Sequence, residues 1–147
     1  MNVEAVLKKR GTDVVTVAPG DTVVDVARLF GEKKTGIAIV CDSNSHVIGV
    51  VSLGDIVHAV GARAADALGQ SVETIMTKDP AVCAPGDDIE SALNTMEALG
   101  IRHLPVVEEG RLKGFVEQRA ALETLYEDAA LDFAQLRSYV IKPSGRR

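Results

Sequence analysis

Tryptophan is absent from this sequence, and its aromatic complement is three Phe and two Tyr in 147 residues. Phe30, Phe115, Phe133, Tyr126 and Tyr139 are too few and too scattered for a base-stacking platform of the kind that binds single-stranded nucleic acid. A flat ligand ring would sit between aliphatic side chains. Basic clusters are also missing outside the terminal Arg146–Arg147, and 16 Lys and Arg against 21 Asp and Glu leave a net charge of −5. Non-specific nucleic-acid binding, which needs many cations on phosphates, is thereby disfavoured. The two cysteines, Cys41 and Cys83, stand far apart in apolar runs with no CxxC or Cys/His cluster. They read as buried, reduced thiols in a cytoplasmic protein, with no metal site. No apolar run approaches the ~18 residues of a membrane span, and no charged-then-apolar leader opens the chain, so the expectation is a soluble protein off the membrane. Nucleotide-loop signatures such as GxGxxG and GxxxxGK[ST] are absent, and Lys33-Lys34-Thr35-Gly36 has the wrong order for one. Three scattered histidines, of which His46 and His58 read as surface residues, assemble no Ser/His/Asp or Cys/His set, so no catalytic residue is expected.

What is present is an ordinary globular composition, 46% apolar and 25% charged. A chain of this length buries roughly 68–70% of its unfolded surface and needs no disulfide to fold. It suits one domain or two half-domains and is too short for a regulator plus a full catalytic domain. Internal duplication decides between them. Ala18-Pro19-Gly20-Asp21 recurs as Ala84-Pro85-Gly86-Asp87, 66 positions later. The flanks agree: Val23 matches Ile89, Ala27 matches Leu93, Phe30 matches Met96 and Val40 matches Val106. Gly49-Val50-Val51 then matches Gly114-Phe115-Val116 after a one-residue shortening.

Each copy reads as strand, helix, strand, strand, helix. Short strand-like runs, Val14 to Val17 and Ala81 to Cys83, stop at the Pro-Gly turns. Asp21 or Thr22 can cap a helix through Val23, Val26, Ala27 and Phe30, and Asp87 with Glu90 forms a capping box for its twin through Leu93, Met96 and Leu99. Hairpins follow: Ile37 to Cys41 with Val47 to Val51, and His103 to Val107 with Leu112 to Val116. Closing helices run from Leu53 to Val60 and from Gln118 to about Tyr126. The connector between copies is alanine-rich and helix-permissive to Leu68, with Gly69 as a stop and an apolar face from Val72, Ile75 and Met76. A helical tail from Ala129 to Val140 carries Leu131, Phe133, Ala134 and Leu136 toward a partner or the body until Pro143 ends it. The expected divisions are an N-terminal segment 1–11, repeats at 12–61 and 77–127 joined by a connector 62–76, a helix 128–142, and a disordered tail 143–147.

This order of motifs resembles a tandem pair of CBS domains, the Bateman module. Val15-Thr16-Val17-Ala18-Pro19 with its Pro85 twin, Glu73-Thr74-Ile75-Met76-Thr77, Ile101-Arg102-His103-Leu104-Pro105-Val106-Val107 and Gly49-Val50-Val51-Ser52-Leu53-Gly54-Asp55-Ile56 carry the resemblance. It implies an α/β (α+β) fold of two β-α-β-β-α repeats packed sheet on sheet about a pseudo-twofold axis. It also implies two clefts that often hold adenosine compounds, AMP, ADP, ATP, NAD(H) or S-adenosylmethionine, in sensors that are not catalysts.

The resemblance places a Ser/Thr and an Asp, three positions apart, where the last strand of a repeat turns into its last helix. The hydroxyl faces phosphate and the carboxylate faces the ribose diol. Ser52 and Asp55 keep that pattern, which equally reads as a helix capping box. The second copy departs, with Glu117 and Ala120 at the matching positions; glutamate repels phosphate and alanine accepts no ribose bond. The opposite repeat contributes Pro80 and Ala81, whose backbone would edge the adenine, and Arg102, His103 and Leu104. Arg102 is the phosphate partner or a solvated residue before a strand; His103 donates to phosphate or caps a strand end. Gly36 and Ile37, the counterparts for the other cleft, bring no charge. One competent cleft and one degenerate or differently used cleft are expected.

The resulting expectation is a stand-alone, non-enzymatic module that binds an adenine nucleotide, AMP or ATP before NAD(H) or S-adenosylmethionine, with no metal. It would signal by a change of shape or partner. It would form a homodimer through helix faces such as Val23/Val26/Phe30 and Leu93/Met96. The alternative is a CBS adaptor that contacts proteins and binds no nucleotide.

Overall fold

The computed structural model describes residues 1–10 and 13–141. The expected helix stop at Pro143, the tail 143–147 and residue 12, at the expected start of the first repeat, lie outside them. In chain order the elements are α1 (Val3–Arg10), β1 (Thr16–Val17), α2 (Val23–Lys33), β2 (Ile37–Cys41), β3 (Val47–Ser52) and α3 (Leu53–Arg63). Then come two 3₁₀ turns (Ala64–Ala67 and Val72–Thr74), β4 (Thr77–Lys78), α4 (Ile89–Leu99), β5 (His103–Glu108), β6 (Arg111–Glu117) and α5 (Gln118–Ile141). One sheet has the order β1-β2-β3-β4, with β1 and β2 parallel and the other pairs antiparallel; β5 and β6 form an antiparallel second sheet.

Duplication in the sequence becomes duplication of hydrogen bonds. Asp21 Oδ2 accepts from Ala18 N, and Asp87 Oδ2 from Ala84 N, both at 2.9 Å. Each aspartate therefore ties its own Pro-Gly turn, and the next residue caps the helix. Thr22 accepts from Asp25 N at the start of α2, and Asp88 from Glu90 N at the start of α4. The capping box expected from Asp87 and Glu90 is corrected accordingly: Asp87 is spent on the turn. Both helices end on a left-handed residue, Lys34 (φ 54°) and Gly100 (φ 68°). The second hairpin turns on Glu109 (φ 55°) and Gly110 (φ 80°), the two-residue loop with both φ positive that suits right-twisted strands.

Three other expectations are corrected. The run Ala81 to Cys83 is reduced to a single parallel bridge between Cys83 and Val106. Instead, β4, at the expected start of the second repeat, joins the first sheet, pairing Thr77 with Val50 and Lys78 with Gly49. The closing helix and the helical tail are one continuous helix of 24 residues, because no Gly or Pro interrupts Gln118 to Ile141. The helix faces read as a dimer surface are interior: Val23, Val26, Phe30 and Met96 are at most 4% exposed, in the cores of their own repeats, and Leu93 is partly buried against the second core.

Each repeat has its own core, and a segment from outside that repeat completes each. Val72 N donates to Asp21 O (2.8 Å) and Glu73 N to Pro19 O (3.2 Å), while Val3 N donates to Asp87 O and Glu4 N to Pro85 O, both at 2.9 Å. Asn2-Val3-Glu4-Ala5-Val6-Leu7 therefore does for the second repeat what Ser71-Val72-Glu73-Thr74-Ile75-Met76 does for the first. Val3 and Val72 are both fully buried, each burial being worth roughly 1.5–3 kcal/mol relative to exposure. The N-terminal segment, given no fold by sequence, is helix α1. It crosses to the second repeat, where Arg10 donates to the buried Thr124 hydroxyl (3.0 Å) and to Glu127 (2.9 Å).

The two repeats meet at their hairpins. His46 bridges Arg111, Val47 N donates to Gly110 O at 3.1 Å and Leu112 N to Ser45 O at 3.0 Å. Cys83 is buried and Cys41 only half-buried, and both are free thiols. Burial pushes the Cys83 thiol up to about 12, with Asp87 adding to the rise, so it stays protonated. Among the described residues no helix is long and apolar enough to cross a membrane.

Candidate functional site in the cleft between the repeats

A cleft of about 720 Å³ opens between the repeats, within the range of small-molecule sites. The first repeat lines it with Ile37, Val50, Ser52 and Asp55; Thr77 of β4 follows, and the second repeat contributes Asp79, Pro80 and Ala81, then Leu99 to His103 and Pro105. Six residues singled out from the sequence, Ser52, Asp55, Pro80, Ala81, Arg102 and His103, thus line one cavity. Leu104 does not. Alternation along β5 turns it to the opposite face, where it is 1% exposed in the core with Met96 and Val106.

Ser52 and Asp55 sit where β3 turns into α3. Ser52 is the N-cap: its hydroxyl oxygen accepts from Asp55 N at 3.2 Å, and Asp55 Oδ2 accepts from Ser52 N at 2.8 Å. The capping role is therefore real, and it is compatible with ligand contact. A hydroxyl oxygen that accepts keeps its proton to donate, and a carboxylate with one oxygen engaged has another that accepts. The N-terminus of α3 adds a partial positive charge at the same place.

Arg102 and His103 stand across the cleft at the start of β5. The Arg102 carbonyl accepts from Gln118 N at 2.8 Å, as its counterpart Gly36 accepts from Leu53 N at 2.8 Å, so the backbone is fixed while the side chain stays exposed. Among the described residues the Arg102 guanidinium makes no salt bridge, unlike Arg10, which Glu123 and Glu127 hold. His103 is half-buried. Its Nε2 lies 3.7 Å from Glu117 Oε2 and its ring centroid 5.5 Å from that of Phe115. Burial holds the imidazole below its ordinary pKa; Glu117 works against that shift and Arg102 with it. The groove is otherwise apolar, with Ile37, Val50, Pro80, Ala81, Leu99 and Ile101 around the polar groups.

Sequence reasoning missed Thr77, Asp79 and the turn Leu99 to Ile101. Asp79 stands in the left-handed region at φ 47°, a conformation Asp tolerates better than most residues. Its place before Pro80 was the available signal. The pseudo-symmetric cleft, of about 650 Å³, is lined by Asp13, Val14, Val15, Thr16, Leu29, Lys33, Thr35, Ile37 and Phe115. Its polar groups are thus Asp13, Lys33 and two threonines, and the reading of Gly36 and Ile37 overlooked the two charges. Glu117 and Ala120, the counterparts of Ser52 and Asp55, line a separate depression of about 240 Å³ beside Arg10, Asp13 and Phe115. Among the described residues no group of three or more His, Cys, Asp or Glu is placed to hold a metal.

The CBS domain family model matches residues 3–62 and 72–127. This chain belongs to the CBS domain family, as a tandem pair. The first match begins at Val3, so the CBS pattern takes in α1. A crystal structure of a CBS-domain containing protein from Agrobacterium tumefaciens is similar with a TM-score of 0.78 at 31% identity, covering 84% of this chain and 98% of that one. The CBS protein CBSX2, crystallised in complex with AMP, is similar with a TM-score of 0.69 at 26% identity over 82% of this chain and 92% of that one. An uncharacterized 17.7 kDa protein of Acidianus ambivalens is 32% identical over 84% of this chain and 74% of its own length. Several enzymes match as well, and there the CBS pair corresponds to 19% to 32% of the enzyme's length.

Proposed function

We propose that this CBS pair is a regulatory module that binds an adenine nucleotide in the Ser52/Arg102 cleft. The observation that carries the reading is the convergence of a hydroxyl, a helix N-terminus, a carboxylate and a guanidinium that is unpaired among the described residues in one apolar groove. The Ser52 hydroxyl and Arg102 take phosphate, Asp55 accepts from the ribose diol, and the base lies between Ile37, Val50 and the Pro80–Ala81 backbone. The AMP complex of CBSX2 supports this ligand class. One permanent cation facing Asp55 and Asp79 favours AMP over ATP, with NAD(H) and S-adenosylmethionine next. The other cleft, without a Ser/Asp pair, is degenerate or takes something else.

Both repeats contribute walls, so a ligand that fits one arrangement of them better than another shifts the population toward it, and a partner reads the shift. No step of catalysis is invoked. A homodimer belongs to this reading, through a surface different from the one expected. Val57 on α3 is 64% exposed and its counterpart Leu122 on α5 is 52% exposed, with Leu53, Val60 and Tyr126 beside them. The closing helices of both repeats thus present an apolar face.

The same exposed face favours a second reading, a protein adaptor that binds no nucleotide. Mass spectrometry of small molecules released when the purified protein is denatured tests the first reading: an adenine nucleotide is expected. Asp55→Ala separates the two. A sensor loses its ligand-induced stabilisation, which follows RT ln(1 + [L]/Kd) and is read as a rise in Tm, and an adaptor shows no rise to lose.

A further inference from the structure

Helix α5 continues past the body of the second repeat, and its sequence carries a period the repeat does not need. Leu122, Tyr126, Ala129, Phe133 and Leu136 follow one another at steps of four, three, four and three residues. That spacing is the a/d seam of a short left-handed coiled coil, and because a straight helix drifts only about 20° per heptad, all five residues stay on one face. The body-facing line of α5 is a different one, through the buried Ala121 and Thr124, and Leu131 continues that line. The large seam residues are open: Leu122 is 52%, Tyr126 76%, Phe133 64% and Leu136 60% exposed.

We propose that this seam pairs in parallel with the same seam of a second copy of the chain. The charges beside it select that occupant. With Tyr126 and Phe133 at position a and Leu122, Ala129 and Leu136 at d, Asp132 falls at g and Arg137 at e. In a parallel pair, g of one helix faces the e five residues on in the other, so Asp132 meets the partner copy's Arg137, and the reverse, by symmetry. In an antiparallel pair g faces g and e faces e, and this match is lost. The ion pairs that α5 makes within the chain use Glu123 and Glu127, held by Lys9, Arg10 and Arg119, so among the described residues Asp132 and Arg137 are unpaired. Glu123, the e residue that could offer Arg137 an antiparallel partner, is already engaged.

The seam is about two heptads long, too short to hold two copies by itself. It adds to the apolar α3/α5 face and sets its order, α5 against α5. The inference therefore rests on the homodimer reading above and is independent of nucleotide binding.

Sedimentation of the full chain tests it. Phe133→Glu/Leu136→Glu, at exposed positions, is expected to raise the dimer dissociation constant at least tenfold without lowering monomer Tm. Asp132→Arg is expected to weaken the dimer, and Asp132→Arg/Arg137→Asp to restore it. A Leu136→Cys chain carrying Cys41→Ser is expected to join to its partner copy through a short bis-maleimide, since equivalent d residues are neighbours only in the parallel pair. A monomeric wild-type chain overturns this inference and the homodimer reading together. A dimer that tolerates Phe133→Glu/Leu136→Glu, or one that Leu136→Cys does not link, overturns the seam alone. Adenine-nucleotide thermal shifts on the same variants report on the cleft separately.

Discussion

Ser52 and Asp55 hold each other by two reciprocal bonds, Ser52 N to Asp55 Oδ2 at 2.8 Å and Asp55 N to Ser52 Oγ at 3.2 Å. One residue pair thus both starts α3 and furnishes the cleft, so its substitution has two separable effects. Asp55→Ala is expected to cost about 1 kcal/mol of apo stability through the lost cap. It is also expected to abolish the nucleotide-induced rise in Tm. Thermal denaturation with and without AMP measures both.

Arg102 gives the complementary case. Its side chain is exposed and makes no ion pair among the described residues, so Arg102→Ala is expected to leave apo stability within about 0.5 kcal/mol of the wild type. Binding of AMP is expected to weaken roughly 10–100-fold, the effect of about 1.5–3 kcal/mol from a charged hydrogen bond. Adenosine, without phosphate, is expected to bind both proteins alike. Competition titrations with the two ligands distinguish a phosphate contact from a packing role.

His103 makes apo stability depend on pH and, in the proposed site, would make binding do so too. Burial holds its folded pKa below the ordinary 6.5, against the pull of Glu117 and with the push of Arg102. The unfolded chain therefore takes up the proton first as pH falls, and apo stability is full above about pH 6.5 and declines below it. A bound phosphate reverses the preference by favouring imidazolium. AMP affinity is thus expected to rise as pH falls from about 8 to 6, with proton uptake visible as buffer-dependent binding enthalpy. His103→Gln is expected to flatten both dependences.

Gly49 connects the connector to the cleft. A Cβ there would overlap the Met76 sulfur and come within 3.0 Å of the Thr77 carbonyl, at the point where β4 joins β3. The Met76 side chain can move, but the strand carbonyl cannot without disturbing the pairing. Gly49→Ala is expected to destabilise by about 1–3 kcal/mol, measured by urea denaturation, and to weaken nucleotide binding by displacing Thr77 in the cleft wall.

The repeat was legible because Ala18-Pro19-Gly20-Asp21 recurs 66 residues on, and Ser52 and Asp55 because they form a strand-to-helix capping pattern, whereas Pro80, Ala81, Arg102 and His103 followed only from the resemblance to CBS pairs. Other features were not, for physical reasons. The likeness of Asn2–Leu7 to Ser71–Met76 is short and at a different spacing, and its meaning, closure of a core far along the chain, is a tertiary fact. Val23, Val26 and Phe30 form an apolar helix face, which by itself cannot tell a core from a dimer surface. Leu104 neighbours two cleft residues in sequence, yet strand alternation turns it inward. Leu99 to Ile101 enter the cleft only because the left-handed turn at Gly100 carries the chain from α4 back across it.

The proposed site holds an adenine nucleotide in one of two pseudo-equivalent clefts through the chain's Ser52, Asp55 and Arg102. Isothermal titration of the ligand-stripped wild-type protein with AMP, ATP, NADH and S-adenosylmethionine tests it most directly. The expected result is saturable binding of one ligand per chain, AMP tightest, lost in Asp55→Ala. Absence of binding by any of the four at millimolar concentration, or AMP binding that Asp55→Ala leaves intact, would overturn this site.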